Sequence, residues 1–183
     1  MNVSKSLVGS HRPDKLYLYG ERVSIERACR LGELRLHPNA ADGAPSRPMQ
    51  EGQILPFGPR ASPVSAGFLT LSLSSVWRET FFHEAQGAAA CLVIRDPEEF
   101  GERLHRAVQK ALPQWAGIDA AVAYGAPSPL GAAFTKGKHL SLQKEWLFAW
   151  RPIQATQALT SIVVQIGCMD SFTELREPGQ FAQ

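Results

Sequence analysis

Gln143 and Glu145 are the residues whose types and spacing most plainly suggest chemistry. In an extended strand, residues two apart project from one face, so Gln143-x-Glu145 would set an amide and a carboxylate side by side. With Trp146 and Trp150 as neighbours, the pair would stand at the edge of an apolar, partly dry pocket. A carboxylate fixed in such a place stabilises positive charge developing on a substrate far better than it does in water. The same spacing also describes an edge strand with a solvated face.

Other reactive side chains are scattered. His11, His37, His83, His105 and His139 occur singly, and His83-Glu84 is half of a metal motif with no second histidine at helical spacing. Glycine-rich nucleotide loops, the G-x-S-x-G elbow and H-E-x-x-H are absent from the sequence, which removes support for the common nucleotide-binding, hydrolase and zinc-protease classes. Cys29, Cys91 and Cys168 lie far apart in apolar surroundings. They read as small buried hydrophobes in a reducing compartment, without a disulfide framework or a zinc site. Lys136, Lys138 and His139 form a thin basic cluster, the only support for an RNA-cleaving site.

The elements that must position these groups follow from periodicity. Leu16 to Tyr19 alternates as a strand; Ser24 can cap a helix from Ile25 to Leu31 that stops at Gly32; and Glu33 to His37 alternates again. Residues 38–66 hold six prolines and little periodicity, the composition of a flexible loop or lid. Phe68 to Ser74 alternates leucines with Thr70, Ser72 and Ser74, and Ala90 to Ile94 is apolar throughout, as a strand buried on both faces would be. Asp96, Pro97, Glu98 and Glu99 open a helix whose stripe is Phe100, Leu104, Ala107, Val108 and Ala111. Strands are expected over Ile118 to Tyr124, Ala132 to Lys136, Leu142 to Arg151 and Ser161 to Gly167.

The 183 residues, 44% hydrophobic and 20% charged, suit one α+β domain spanning 1–183. No apolar run approaches the ~20 residues of a membrane span, and no signal-like stretch follows Met1. A cytoplasmic protein is expected, or one delivered into a target cell without a cleaved leader. The net charge of +2 neither demands nor excludes a nucleic-acid partner.

An early tyrosine strand, a middle serine strand and a late strand carrying Gln143-x-Glu145 together resemble the three-part signature of ADP-ribosyltransferases. The resemblance implies split antiparallel sheets with a few flanking helices, and NAD as a substrate without a metal. Tyr17 or Tyr19 would hold the ribose or nicotinamide, Ser72 and Ser74 would brace the pocket, and Glu145 would stabilise the oxocarbenium-like transition state. Gln143 would help select the acceptor, with a mild bias away from arginine. In motif order the chain is most similar to the uncharacterised DUF2971-like group of bacterial and phage proteins. The phrases that carry this are Gly32-x-Leu34-Arg35-Leu36, Ser72 to Trp77, Cys91 to Ile94, Phe134-Thr135-Lys136 and Lys144-Glu145-Trp146. Leu147 stands where that group usually has arginine.

What the resemblance implies is a mono-ADP-ribosyltransferase-like toxin, effector or phage-encoded modifier acting on a protein or nucleic-acid acceptor. The alternative is a catalytically inactive binding or inhibitor protein on the same scaffold, with an immunity-type partner.

Overall fold

The structure is a computed structural model that describes residues 11–39, 67–84, 87–154 and 159–179. In chain order the elements are β1 (Leu16–Gly20), α1 (Arg22–Leu31), β2 (Glu33–Asn39), β3 (Phe68–Ser74), α2 (Phe81–Glu84), β4 (Ala90–Ile94), α3 (Pro97–Ala111), β5 (Trp115–Ala121), β6 (Ala123–Tyr124), β7 (Thr135–Lys136), β8 (Glu145–Pro152), β9 (Ile162–Gln165) and β10 (Thr173–Arg176). Two 3-10 helices, Ala132–Phe134 and Lys138–Gln143, precede β7 and β8. The class is α+β, and every pairing in the main sheet is antiparallel.

β3 is the hinge of the topology. One of its edges pairs with β8 from Leu69 to Ser74, and β8 pairs onward with β5. The other edge is shared: Phe68 to Thr70 pair with β2, while Ser74 pairs with β1. The sheet therefore forks into a β1-β4-β10 branch and a β2-β9 branch, and α1, which links the two, touches β1, β2, β4 and β10.

Alternation assigns the faces. Leu69, Leu71 and Leu73 of β3 and Trp146, Phe148 and Trp150 of β8 join Leu16, Leu92, Ile94 and the α3 stripe Phe100, Leu104 and Val108 in the main core. Each nearly buried Leu or Phe there removes enough apolar surface to contribute about 1.5–3 kcal/mol. On the opposite face Leu147 and Ala149 meet Ala120, Val122, Ala133 and Phe134 in a smaller core. β8 is thus buried on both sides along Trp146 to Trp150, which is why that stretch is continuously apolar. Ala90–Ile94, between β1 and β10, is also buried at every position.

α3 starts as the sequence predicts: Asp96 accepts the Glu99 amide at 3.0 Å, with Pro97 next in line. Ala111, assigned to its apolar stripe, is exposed instead. α1 differs at its start. It begins at Arg22 with Glu21 as cap, so Ser24 lies inside the first turn. It ends at Gly32, left-handed at φ 65°, where an added Cβ would lie 2.1 Å from the Gly167 carbonyl oxygen. Of the proline-rich stretch, Pro38 and Asn39 belong to β2, and residues 40–66 lie outside the described residues.

The expected strands at Ala132 to Lys136 and Leu142 to Arg151 begin instead as 3-10 turns. Gly131 (φ 96°) and Gly137 introduce these turns, and Lys144 (φ 46°) breaks the extended run before β8. Among the described residues, no helix is long and apolar enough to cross a membrane.

Candidate functional site

Glu145 opens β8, and its side chain lies on the face opposite Trp146, Phe148 and Trp150. It is 8% exposed. Ser72 Oγ donates to Glu145 Oε2 at 2.6 Å, and Lys136 Nζ lies 2.7 Å from both carboxylate oxygens. Lys136 reaches it because Thr135–Lys136 pairs with Ala123–Tyr124 in a two-stranded parallel ladder. The same ladder brings the Tyr124 hydroxyl to accept the Glu145 backbone N–H at 2.9 Å. Burial pushes the Tyr124 hydroxyl upward in pKa, so it stays a neutral partner. Charge-assisted hydrogen bonds of this kind are roughly twice as strong as neutral ones, and together they fix the carboxylate rigidly.

Tyr17, Ser74 and Glu145 lie in one lateral row, with Ser74 in the middle. Ser74 pairs with Glu145 on one side and with Tyr17 on the other. Directly opposed residues share a face, so β1, β3 and β8 bring a tyrosine, a serine and the carboxylate together. Ser74 itself is buried, its Oγ within 2.8 Å of the Val76 carbonyl and 2.9 Å of the Gln143 carbonyl. Ser72 is exposed, whereas the carboxylate it donates to is largely buried.

The two tyrosines separate in role. Tyr19 is packed edge-on against Phe81 and Phe82, with Trp77 at 5.8 Å, and its hydroxyl accepts the Arg78 amide at 2.9 Å. Burial raises that hydroxyl's pKa well above the ordinary value. Tyr17 meets the same group only through Trp77, at 6.0 Å, and it lies in the Glu145 row. The Arg176 guanidinium lies over the Trp77 ring, 6.0 Å from its centroid.

Two expectations need correction. Gln143 does not share a strand face with Glu145: it ends a 3-10 helix, and the left-handed Lys144 separates the two. Trp146 and Trp150 do not wall the carboxylate, because alternation in β8 sends them to the α3 side. The basic cluster is also reduced, since Lys136 is engaged by Glu145 and only Lys138 and His139 remain exposed. A cavity of about 260 Å³ lies beside β5 and β6 against Ser128, Pro129 and Leu130, and Glu145 is not part of its lining.

A second polar centre sits in the α3 face, and nothing in the sequence spacing announces it. Asp119 of β5 receives Arg12 Nε and Nη2, each at 2.7 Å, and Trp146 Nε1 at 2.8 Å. His105 Nε2 lies 2.8 Å from Asp119 Oδ1. Burial pushes the Asp119 carboxyl up, but the hydrogen bonds from Arg12, His105 and Trp146 outweigh it and hold the group well below the carboxylate range. Arg12 fits here because α3 presents Gly101; a Cβ there would lie 2.5 Å from the guanidinium carbon. All four side chains are committed to one another between α3 and the sheet, which makes this a packing centre.

No protein-family model, curated protein or solved structure matches this chain.

Proposed function

We propose that this chain is a mono-ADP-ribosyltransferase-like modifier that takes NAD as its substrate and transfers ADP-ribose to a protein or nucleic-acid acceptor. The observation that supports the reading is the lateral row of Tyr17, Ser74 and Glu145 across three adjacent strands, with Ser72 hydrogen-bonded to the carboxylate. In the reaction the bond between the ribose C1′ and the nicotinamide nitrogen breaks, and the electron pair leaves with nicotinamide. A nucleophile of the acceptor then bonds to C1′ and gives up its proton. Glu145 would face the positive charge that builds on the sugar between those events, and the ring edge of Tyr17 with Trp77 would offer a surface for stacking. The split-sheet arrangement of that fold, and kinship with the DUF2971-like group, belong to the same proposal. A part for Gln143 in choosing the acceptor has only the resemblance behind it.

A second reading, a catalytically silent binding or inhibitor protein, is favoured by one specific observation. Lys136 already neutralises Glu145 through both oxygens. The transferase reading requires Lys136, its side chain 31% exposed, to release at least one carboxylate oxygen when substrate arrives; the silent reading leaves the pair closed.

Nicotinamide release from NAD, measured with protein and nucleic-acid acceptors, separates them. On the transferase reading Glu145→Gln costs ~10²–10³ in rate, read on folded protein because the substitution also breaks a largely buried ion pair. Wild-type turnover that survives the substitution removes Glu145 from the chemistry, and absence of wild-type turnover across both acceptor classes leaves the silent scaffold.

A further inference from the structure

Only Cys91 answers to the expectation of a buried thiol; Cys29 is half-buried and Cys168 is exposed. The two that differ are neighbours in space. The Met169 amide donates to the Cys29 carbonyl at 2.8 Å, where α1 ends, and Arg103 Nη1 donates to the Cys168 carbonyl at 3.0 Å. Cys168 is therefore anchored on both sides, to α1 and to α3. The shared amide–carbonyl bond limits the Cα atoms of residues 29 and 168 to about 7.5 Å apart, and ordinary angles bring them to about 5–6 Å. Disulfides span about 4.4–6.8 Å between Cα atoms. Both side chains also reach one carboxylate. Cys29 Sγ donates to Asp170 Oδ1 at 3.0 Å, and hydrogen bonds from Cys29 and then Cys168 lower the Asp170 pKa.

We propose that Cys29 and Cys168 are a redox modification site, forming a reversible disulfide that ties the end of α1 to the loop leading into β10. The exposed Cys168 thiolate attacks one sulfur of a small-molecule disulfide such as oxidised glutathione and expels one glutathione thiolate. Cys29 then attacks the Cys168 sulfur of the mixed disulfide and expels the second. The two thiol protons end on the two released glutathiones, so two protein thiols are oxidised as one external disulfide is reduced. Burial raises the Cys29 thiol pKa, with the Asp170 hydrogen bond adding to it, so the second step is the slow one. In a reducing compartment the bond would be transient and would respond to redox poise.

The test is to incubate the full chain with oxidised glutathione, quench with an alkylating agent and map non-reduced peptides. The expected product has lost two hydrogens, carries a Cys29–Cys168 cross-link that dithiothreitol reverses, and leaves Cys91 alkylated only after unfolding. Its thermal midpoint should rise and should fall back on reduction. Cys168→Ser, a change at an exposed position, should abolish the cross-link while keeping the wild-type reduced midpoint, and Cys29→Ser should stop at the mixed disulfide on Cys168. A stable mixed disulfide on Cys168 in the wild type, with Cys29 still alkylated, overturns the proposal. So does any cross-link through Cys91.

Discussion

Replacing Arg12 with methionine tests whether the centre at Asp119 holds the fold. The substitution keeps most of the aliphatic stem beside Gly101 and removes the two 2.7 Å bonds to a carboxylate that is 8% exposed. His105 and Trp146 remain as partners, but the buried charge loses its permanent cation. Breaking a buried pair from one side costs about 3–5 kcal/mol, a large part of the 5–15 kcal/mol that separates a typical domain from its unfolded state. The contact from Arg12 to Glu98 adds little, since Glu98 is largely exposed. The pH dependence has a definite sign. Asp119 is held below its unfolded value of about 3.9, so its contribution is present above that value and is lost as pH falls through the folded pKa. In the variant, burial acts with less opposition and the contribution is already lost at neutral pH. Urea unfolding of both proteins from about pH 7 to about pH 3 should therefore show a stability gap that narrows toward acid. A gap below ~1 kcal/mol at neutral pH, the size of an exposed pair, or one that stays constant with pH, refutes the assignment.

Other substitutions probe the rest of the scaffold. Leu104→Ala, at a fully buried position on α3, should cost about 2–5 kcal/mol in urea unfolding; no change in midpoint would mean α3 does not bear on the core. Gly32→Ala should lose at least about 2 kcal/mol, and Gly32→Asn should fare no better, because the collision with Gly167 involves Cβ and not only the left-handed backbone; rescue by asparagine would show the close approach to be relaxed. Lys136→Met should lower stability by about 1–3 kcal/mol by leaving the Glu145 carboxylate with Ser72 alone, and an unchanged melting midpoint would show that the pair contributes nothing.

Sequence legibility followed the range of the interactions involved. β1, β3, β4 and α3 were readable because their signals are local: alternation in Leu69 to Ser74, an unbroken apolar run in Ala90–Ile94, and the Asp96-Pro97 start of α3. Motif order pointed to Tyr17 or Tyr19, Ser72 and Ser74, and Glu145 without placing them; pairing across β3 sets Tyr17, Ser74 and Glu145 in adjacent strands. What failed was the assumption of continuous extension through Gln143, since one left-handed residue at Lys144 resets the alternation. β10 escaped notice because four mostly polar residues, Thr-Glu-Leu-Arg, make a strand only when β4 supplies the ladder. The Asp119 centre draws on Arg12, His105 and Trp146, separated by 14 to 107 residues, and no spacing rule could assemble it. The cysteines were misjudged for a related reason: apolar neighbours in sequence do not fix exposure when a loop turns outward, as it does at Cys168.

The position of β10 has a consequence for how this protein is made. β4 lies between β1 and β10, so during synthesis the strand Ala90–Ile94 leaves the ribosome long before its second neighbour, Thr173–Arg176, exists. Until then one side of an entirely apolar strand presents free amides and carbonyls, the template on which chains stick to one another. A nascent or truncated chain stopping short of Thr173 would carry that edge permanently, and quality-control machinery would meet it as a sticky species. The strand that covers this edge of β4 is translated well after β4 itself.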